Sequence, residues 1–315
     1  MPIQLQAEPL LDLPTLPAGW ELAATGVGSN FDVLVVAADT PFDARRAGES
    51  SRYRVYKRAG GSFESFEFVA AGRAAYRYVQ PIGDKDFLLV TPWLYEGVEN
   101  TGHIWSSDGT LVGQLALGQG IEHVQTSARS EVWVAYNDEG IFSAIEPGLA
   151  CFDRTGKRVF SFADSVANDD NPDVPPIDDC YALNVLSENE VWIYYYSAFP
   201  LVRLVDKQLD GIWPRVPGLG AHAFAVGEKS VFFAGDYGDR SLITATFLSR
   251  GESKWATRSA TASRWSSRVR SDALTACISS RTRRFGCSTQ TDAFHVGRRA
   301  QNSPTLTTCR ARSSR

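Results

Sequence analysis

No stretch of this 315-residue sequence approaches the ~18 uninterrupted apolar residues that a membrane-crossing helix needs. The opening run, MPIQLQAEPLLDLPTLPAGW, has neither a basic start nor a long apolar centre, so no secretory leader is expected. Cysteine is sparse: five residues, an odd number, with no C-x-x-C pair. That argues against a disulfide framework or a zinc site and predicts a reducing, cytoplasmic setting. Catalytic signatures are missing too: there is no G-x-S-x-G, no Gly-rich phosphate loop and no H-E-x-x-H. Nor do apolar residues recur at i, i+3, i+4 and i+7 over several turns, so long helices are not expected.

What is present suffices for a core. Hydrophobic residues make up 43% and aromatics 11% of the chain, which excludes global disorder. The net charge of −4 hides a split. Residues 251–315 carry 13 Lys and Arg against 3 acids, whereas residues 1–250 carry 19 against 33. The body is therefore acidic and the tail basic, and a −14 body does not suit a nucleic-acid partner. These shifts divide the chain into an N-terminal extension (1–17), a repeat region (18–250) and an Arg/Ser/Thr-rich tail expected to be irregular (251–315).

Two signals recur in the repeat region. Short apolar, β-rich runs follow tight polar turns: FDVLVV (31–36), DFLLV (86–90), EVWVAY (131–136), EVWIYYY (190–196) and SVFFAG (230–235). They align on Leu34, Leu88, Trp133, Trp192 and Phe232, at spacings of 54, 45, 59 and 40. Runs of this kind suit strands buried on both faces. Between them lie hairpins with glycine at the turn, aligning Tyr56, Trp105 and Phe152 as well as Gly60, Gly109 and Gly156. A fourth copy runs from Leu201 through Asp206 to Trp213. Four antiparallel strands per ~40–50 residues is the period of a propeller blade. The expected fold is all-β: a β-propeller of five to six four-stranded blades, the last incomplete. A terminus usually closes such a ring, and GWELAA (19–24) is expected to do so with partners from the tail.

On these runs and hairpins the chain resembles bacterial β-propeller repeat proteins in the broad WD40-like or quinoprotein-like sense, over residues 18–250. The Gly-His and Trp-Asp signatures of true WD40 repeats are missing, so the resemblance implies a fold and little about activity. The tail holds 21 Ser and Thr with 12 Arg, and the strand rhythm stops there. Out-of-frame translation of a GC-rich gene yields such a mixture. A natural basic arm and a divergent last blade are the alternatives.

Blade starts at 77–80, 122–125, 181–184 and 221–224 bring Arg77, Glu122, His123, Asp179, Tyr181 and His222 to the expected channel mouth. The loops on the same face add Asp138 and Glu139, and a run of acids that includes Asp164, Asp169, Asp170 and Asp173. Trp93, Tyr95, Tyr136, Phe142, residues 194–196 and Phe199 cluster beside them. Acids with aromatics there favour a cationic ligand or a basic partner surface, and the opposite face carries Arg58, Arg154 and Lys157. The first expectation is a non-catalytic, monomeric binding propeller with no cofactor, taking a protein or small ligand on this face. The second is a metal-dependent hydrolase. A likeness in layout to sugar-lactone hydrolases implies that Glu122, Asp179 and Asn184, with His123 nearby, hold a divalent ion such as Ca²⁺. The third is a damaged, non-functional copy.

Overall fold

The computed structural model describes residues 4–29, 32–41, 49–59, 62–71, 74–95, 98–167, 173–196, 198–214, 216, 218–227, 230–238, 242–249, 256–264, 292–298 and 304–312. The first strand, β1 (Gln4–Asp12), belongs with the C-terminal strands. Blade one follows, with β2 (Glu21–Val27), β3 (Val33–Ala38), β4 (Ser50–Ala59) and β5 (Ser62–Ala71). Blade two holds β6 (Tyr78–Ile82), β7 (Asp86–Val90), β8 (Gly102–Ser106) and β9 (Leu111–Leu115). Blade three holds β10 (Ile121–Thr126), β11 (Val132–Tyr136), β12 (Leu149–Phe152) and β13 (Arg158–Ser161), with α1 (Asp138–Ala144) and α2 (Phe162–Ser165) in its links. Blade four is β14 (Asp179–Val185), β15 (Glu190–Tyr196), β16 (Leu201–Val205) and β17 (Gln208–Trp213). Blade five is β18 (Ala223–Val226), β19 (Ser230–Ala234), β20 (Leu242–Ser249) and β21 (Ala256–Arg264). Each blade is a four-stranded antiparallel sheet with its strands in chain order, and β1, β23 (Pro304–Arg312) and β22 (Asp292–Arg298) form a three-stranded sixth sheet. The fold is the all-β, propeller-type one that the repeat predicts.

Two compact units make up the chain: residues 14–180, and residues 1–13 together with 181–315. In the first unit, β2, β6 and β10 lie side by side. Their approach is close enough that a Cβ on Gly26 would lie 1.8 Å from the Val79 carbonyl oxygen, so only glycine fits there. One core packs Leu34, Val36 and Val55 of blade one against Phe87, Leu89 and Trp105 of blade two. The next packs Leu88, Val90 and Ile104 against Val132, Val134 and Tyr136 of blade three. In the second unit, Trp192, Tyr194 and Leu201 of blade four pack against Phe224, Val231 and Phe233 of blade five.

The five aligned residues fall on the second strand of their blades, and they share a face. Leu34, Leu88 and Trp192 pack toward the following blade. Trp133 and Phe232 alternate with Val132, Val134, Val231 and Phe233, which pack toward the preceding one. The hairpin repeat holds at Gly109 and Gly156, with φ of +85° and +86°, while Gly60 lies outside the described residues. Blade four manages without glycine, placing Asp206 and Lys207 at φ +51° and +62°, the two consecutive positive values of a type I′ turn. Buried tyrosines pin the inter-blade links: the hydroxyls of Tyr53, Tyr136 and Tyr194 donate to the carbonyls of Ala74, Leu117 and Gly218 at 2.6, 2.6 and 2.9 Å.

One expectation on closure is corrected. Residues 19–24 do not reach for the tail. Glu21–Val27 pairs with β3 and begins blade one, because a neighbour a few residues away costs less loop-closure entropy than one at the far terminus. The pairing of the termini is made upstream, where β1 runs antiparallel to β23 with Gln4 opposite Arg312. Within residues 251–315, β21 adds the edge strand of blade five by pairing with β20, and β22 pairs with β23.

Candidate binding site

In a blade of this order, the links from second to third strand and from fourth strand to the next blade open at one end. In blade three those links carry the two helices. Asn137 caps α1, its side chain accepting from the Gly140 N–H, and Asp138 and Glu139 follow in the first turn, where the helix dipole favours acids. Asp138, Glu139, Asp164 and Asp173 are exposed at this end. Asp169 and Asp170 lie outside the described residues. At the opposite end the 153–157 turn carries Arg154, which donates to the Ile82 carbonyl at 3.0 Å and pairs with Asp86.

Asp138 and Asp179 meet directly. The Asp138 N–H donates to the Asp179 carboxylate, yet burial and the neighbouring Asp138 charge raise the Asp179 pKa to about 6. Burial likewise raises the pKa of Glu146, which accepts from the Gln119 backbone. Helix α1 ends on Ile145, whose φ of +60° is rare for a β-branched residue. Its side chain is 88% exposed and Phe142 is 68% exposed.

The remaining predicted residues are dispersed in character. Arg77 and Glu122 are exposed, while His123 is buried. Tyr181 and His222 are half-buried. Asn184 is fully buried, and its amide donates to the Phe224 carbonyl at 3.4 Å. Among the described residues, no group of three or more His, Cys, Asp or Glu side chains is placed to hold a metal ion. The Glu122, Asp179 and Asn184 set thus gains no support there.

The corresponding links of blades four and five build an aromatic surface instead. Tyr181 sits early on β14, Tyr194 and Tyr196 end β15, Phe199 occupies the 197–200 link, and Tyr237 follows β19. The Tyr181 ring lies 5.5 Å from Phe199 and 6.0 Å from Tyr237, and Phe199 lies 5.8 Å from Tyr237. The Tyr181 and Tyr237 hydroxyls share a hydrogen bond. Tyr196 packs edge-on against Phe199 at 5.5 Å. Tyr237 is held from behind: its N–H donates to the Leu219 carbonyl at 3.1 Å, and a Cβ on Gly220, at φ +80°, would lie 2.8 Å from its ring. Burial raises the Tyr194 hydroxyl pKa well above its ordinary value, so it stays a donor.

Sequence reasoning singled out residues 194–196 and Phe199 but passed over Tyr237. The available signal was a tyrosine between two glycines, in a loop following a blade's second strand.

The model of the YxzG family matches residues 149–254, about a third of the chain. No curated protein matches the sequence. Solved structures resemble it at the level of fold. Hsv2 of Kluyveromyces lactis has a TM-score of 0.44 at 8% identity, over 80% of this chain and 75% of that one. The AfRom2 CNH domain has a TM-score of 0.42 at 9% identity, over 96% and 94%. YCF48 bound to D1 peptide has a TM-score of 0.39 at 10% identity, over 97% and 99%. Among the described residues, no helix is long and apolar enough to cross a membrane.

Proposed function

We propose that the chain is a non-catalytic binding propeller, and that a protein segment or small ligand docks on the aromatic surface around Tyr237. One observation carries this reading: Tyr237 is 64% exposed and Tyr196 44% exposed, both resting on the nearly buried Phe199. Rigid aromatic rings kept in water on a braced backbone are the usual anchors of protein contacts, offering large area at little entropic cost. The acidic links of blade three belong to the same proposal, as a surface that attracts basic partners. So does action as a monomer in the cytoplasm, which suits five cysteines with no C-x-x-C pair.

Panning a displayed random-peptide library on the protein tests it. Selected peptides should lose at least tenfold in affinity for a Tyr196→Ala, Tyr237→Ala double variant of unchanged melting temperature. Peptides that bind the double variant as well as the parent would remove the aromatic surface as the site.

A further inference from the structure

We propose that the corner formed by Tyr181, Phe199 and Tyr237 is a cation receptor, and that its occupant is a lysine or arginine side chain of a partner peptide. This rests on the binding role proposed above and names the ligand chemistry. The three rings are near-perpendicular in every pairing: 72° for Tyr181 with Phe199, 81° for Tyr181 with Tyr237 and 79° for Phe199 with Tyr237. Their centroids are evenly spaced at 5.5, 6.0 and 5.8 Å. Three mutually perpendicular planes at equal spacing are the walls of a box corner. A group seated there comes within the ~6 Å over which an aromatic face attracts a cation through its quadrupole.

The corner is set in advance. The hydroxyl bond between Tyr181 and Tyr237 fixes two of the rings. Gly220 lets the 218–220 link pass directly behind Tyr237. Phe199 adopts φ +53°, a conformation that a bulky residue holds only when its surroundings impose it. The charge next to the corner has the sign a cation needs: Asp236 directly precedes Tyr237. The choice of a peptide over a free cation follows from the flanks. Leu219 is 53% exposed and Tyr196 44% exposed, apolar surface suited to an aliphatic stem and its neighbouring residues.

The test titrates the full chain with acetyl-Gly-Ser-Xaa-Ser-Gly-amide, where Xaa is lysine, arginine or norleucine, and with choline, by NMR chemical-shift perturbation. The lysine and arginine peptides should bind at least tenfold tighter than the norleucine peptide and tighter than choline. Tyr237→Leu should abolish that preference, whereas Tyr237→Phe, which keeps the ring and loses only the hydroxyl, should retain it. Equal binding of the norleucine and lysine peptides would overturn the receptor while leaving an apolar docking surface standing. A charge preference that survives Tyr237→Leu would also overturn it, and choline binding as tightly as the lysine peptide would overturn the peptide assignment.

Discussion

Blades three and four make the same step, from second to third strand, in opposite ways. In blade three the link runs from 137 to 148 and is long enough to satisfy its own backbone: Asn137 caps α1, and the Ile145 N–H returns to the Gly140 carbonyl. It leaves Phe142 and Ile145 in water. In blade four the link is only 197–200, too short for a capped helix like α1. Phe199 is therefore held by packing against Tyr181, Tyr194, Tyr196 and Tyr237. A long link carries its own structure and treats its apolar side chains as surface. A short one depends on its side chains for its shape, so its aromatics form a site.

The largest test of this contrast compares two phenylalanines. Phe199→Ala should cost about 3 kcal/mol or more, the range for truncating a buried aromatic, because Phe199 is 8% exposed. Phe142→Ala should change stability by no more than about 0.5 kcal/mol, as a surface substitution does. Urea unfolding of both variants checks it, and equal losses would erase the distinction between the links.

A pH series comes next. Asp179 has its folded pKa raised from 3.8 to about 6, so the folded state holds its proton more tightly than the unfolded one. Its effect is destabilising, growing as pH rises from about 4 to 6 and absent below 4. Asp179→Asn should remove that slope and stabilise the protein at pH 7. His103 contributes with the opposite sign. Burial lowers its pKa from 6.5 to about 4, so stability is lost as pH falls from 6.5 toward 4, by up to about 3 kcal/mol. Subtracting the Asp179→Asn curve from the parent curve isolates the blade-three link, and a flat difference would show that Asp179 is not strained there.

The smallest effect is expected at Ile145, whose positive φ Phe199 shares. Ile145→Gly should raise stability by about 0.5–1 kcal/mol, since glycine relieves the left-handed strain and little packing is lost. Phe199→Gly, at a similar φ, should lower it, because the loss of the buried ring outweighs the relief. Thermal melts of the pair would sharpen the contrast between a self-supporting and a packing-dependent link.

Much of the blade architecture was legible in the residues. The VLVVAA and VWVAY runs are buried on both faces as their composition requires, and Gly109 and Gly156 turn where the hairpins need positive φ. The blade-four hairpin was faint because Asp206 and Lys207 replace glycine. Closure was misassigned because residues 1–17 read only as an extension, and it is the pairing of 4–12 with the C-terminal strand that joins the termini. At the site, the acids around Asp138 and Asp179 were visible as a charge run. Tyr237 was not: its flanking glycines mark a loop, but nothing local marks it as the third ring of a corner.

What the sequence by itself determined was the repeating unit. Strand periodicity and turn chemistry are local, so four-stranded blades, their order and the shared face of Leu34, Leu88, Trp133, Trp192 and Phe232 follow from patterns a few residues long. What only the tertiary structure decided was which side chains converge. Tyr181, Phe199 and Tyr237 come from three separate segments of two blades. Their perpendicular meeting rests on a short link, on a glycine behind Tyr237 and on a hydroxyl bond from Tyr237 to Tyr181. Those distances are set by packing between sheets, a quantity that no local pattern carries.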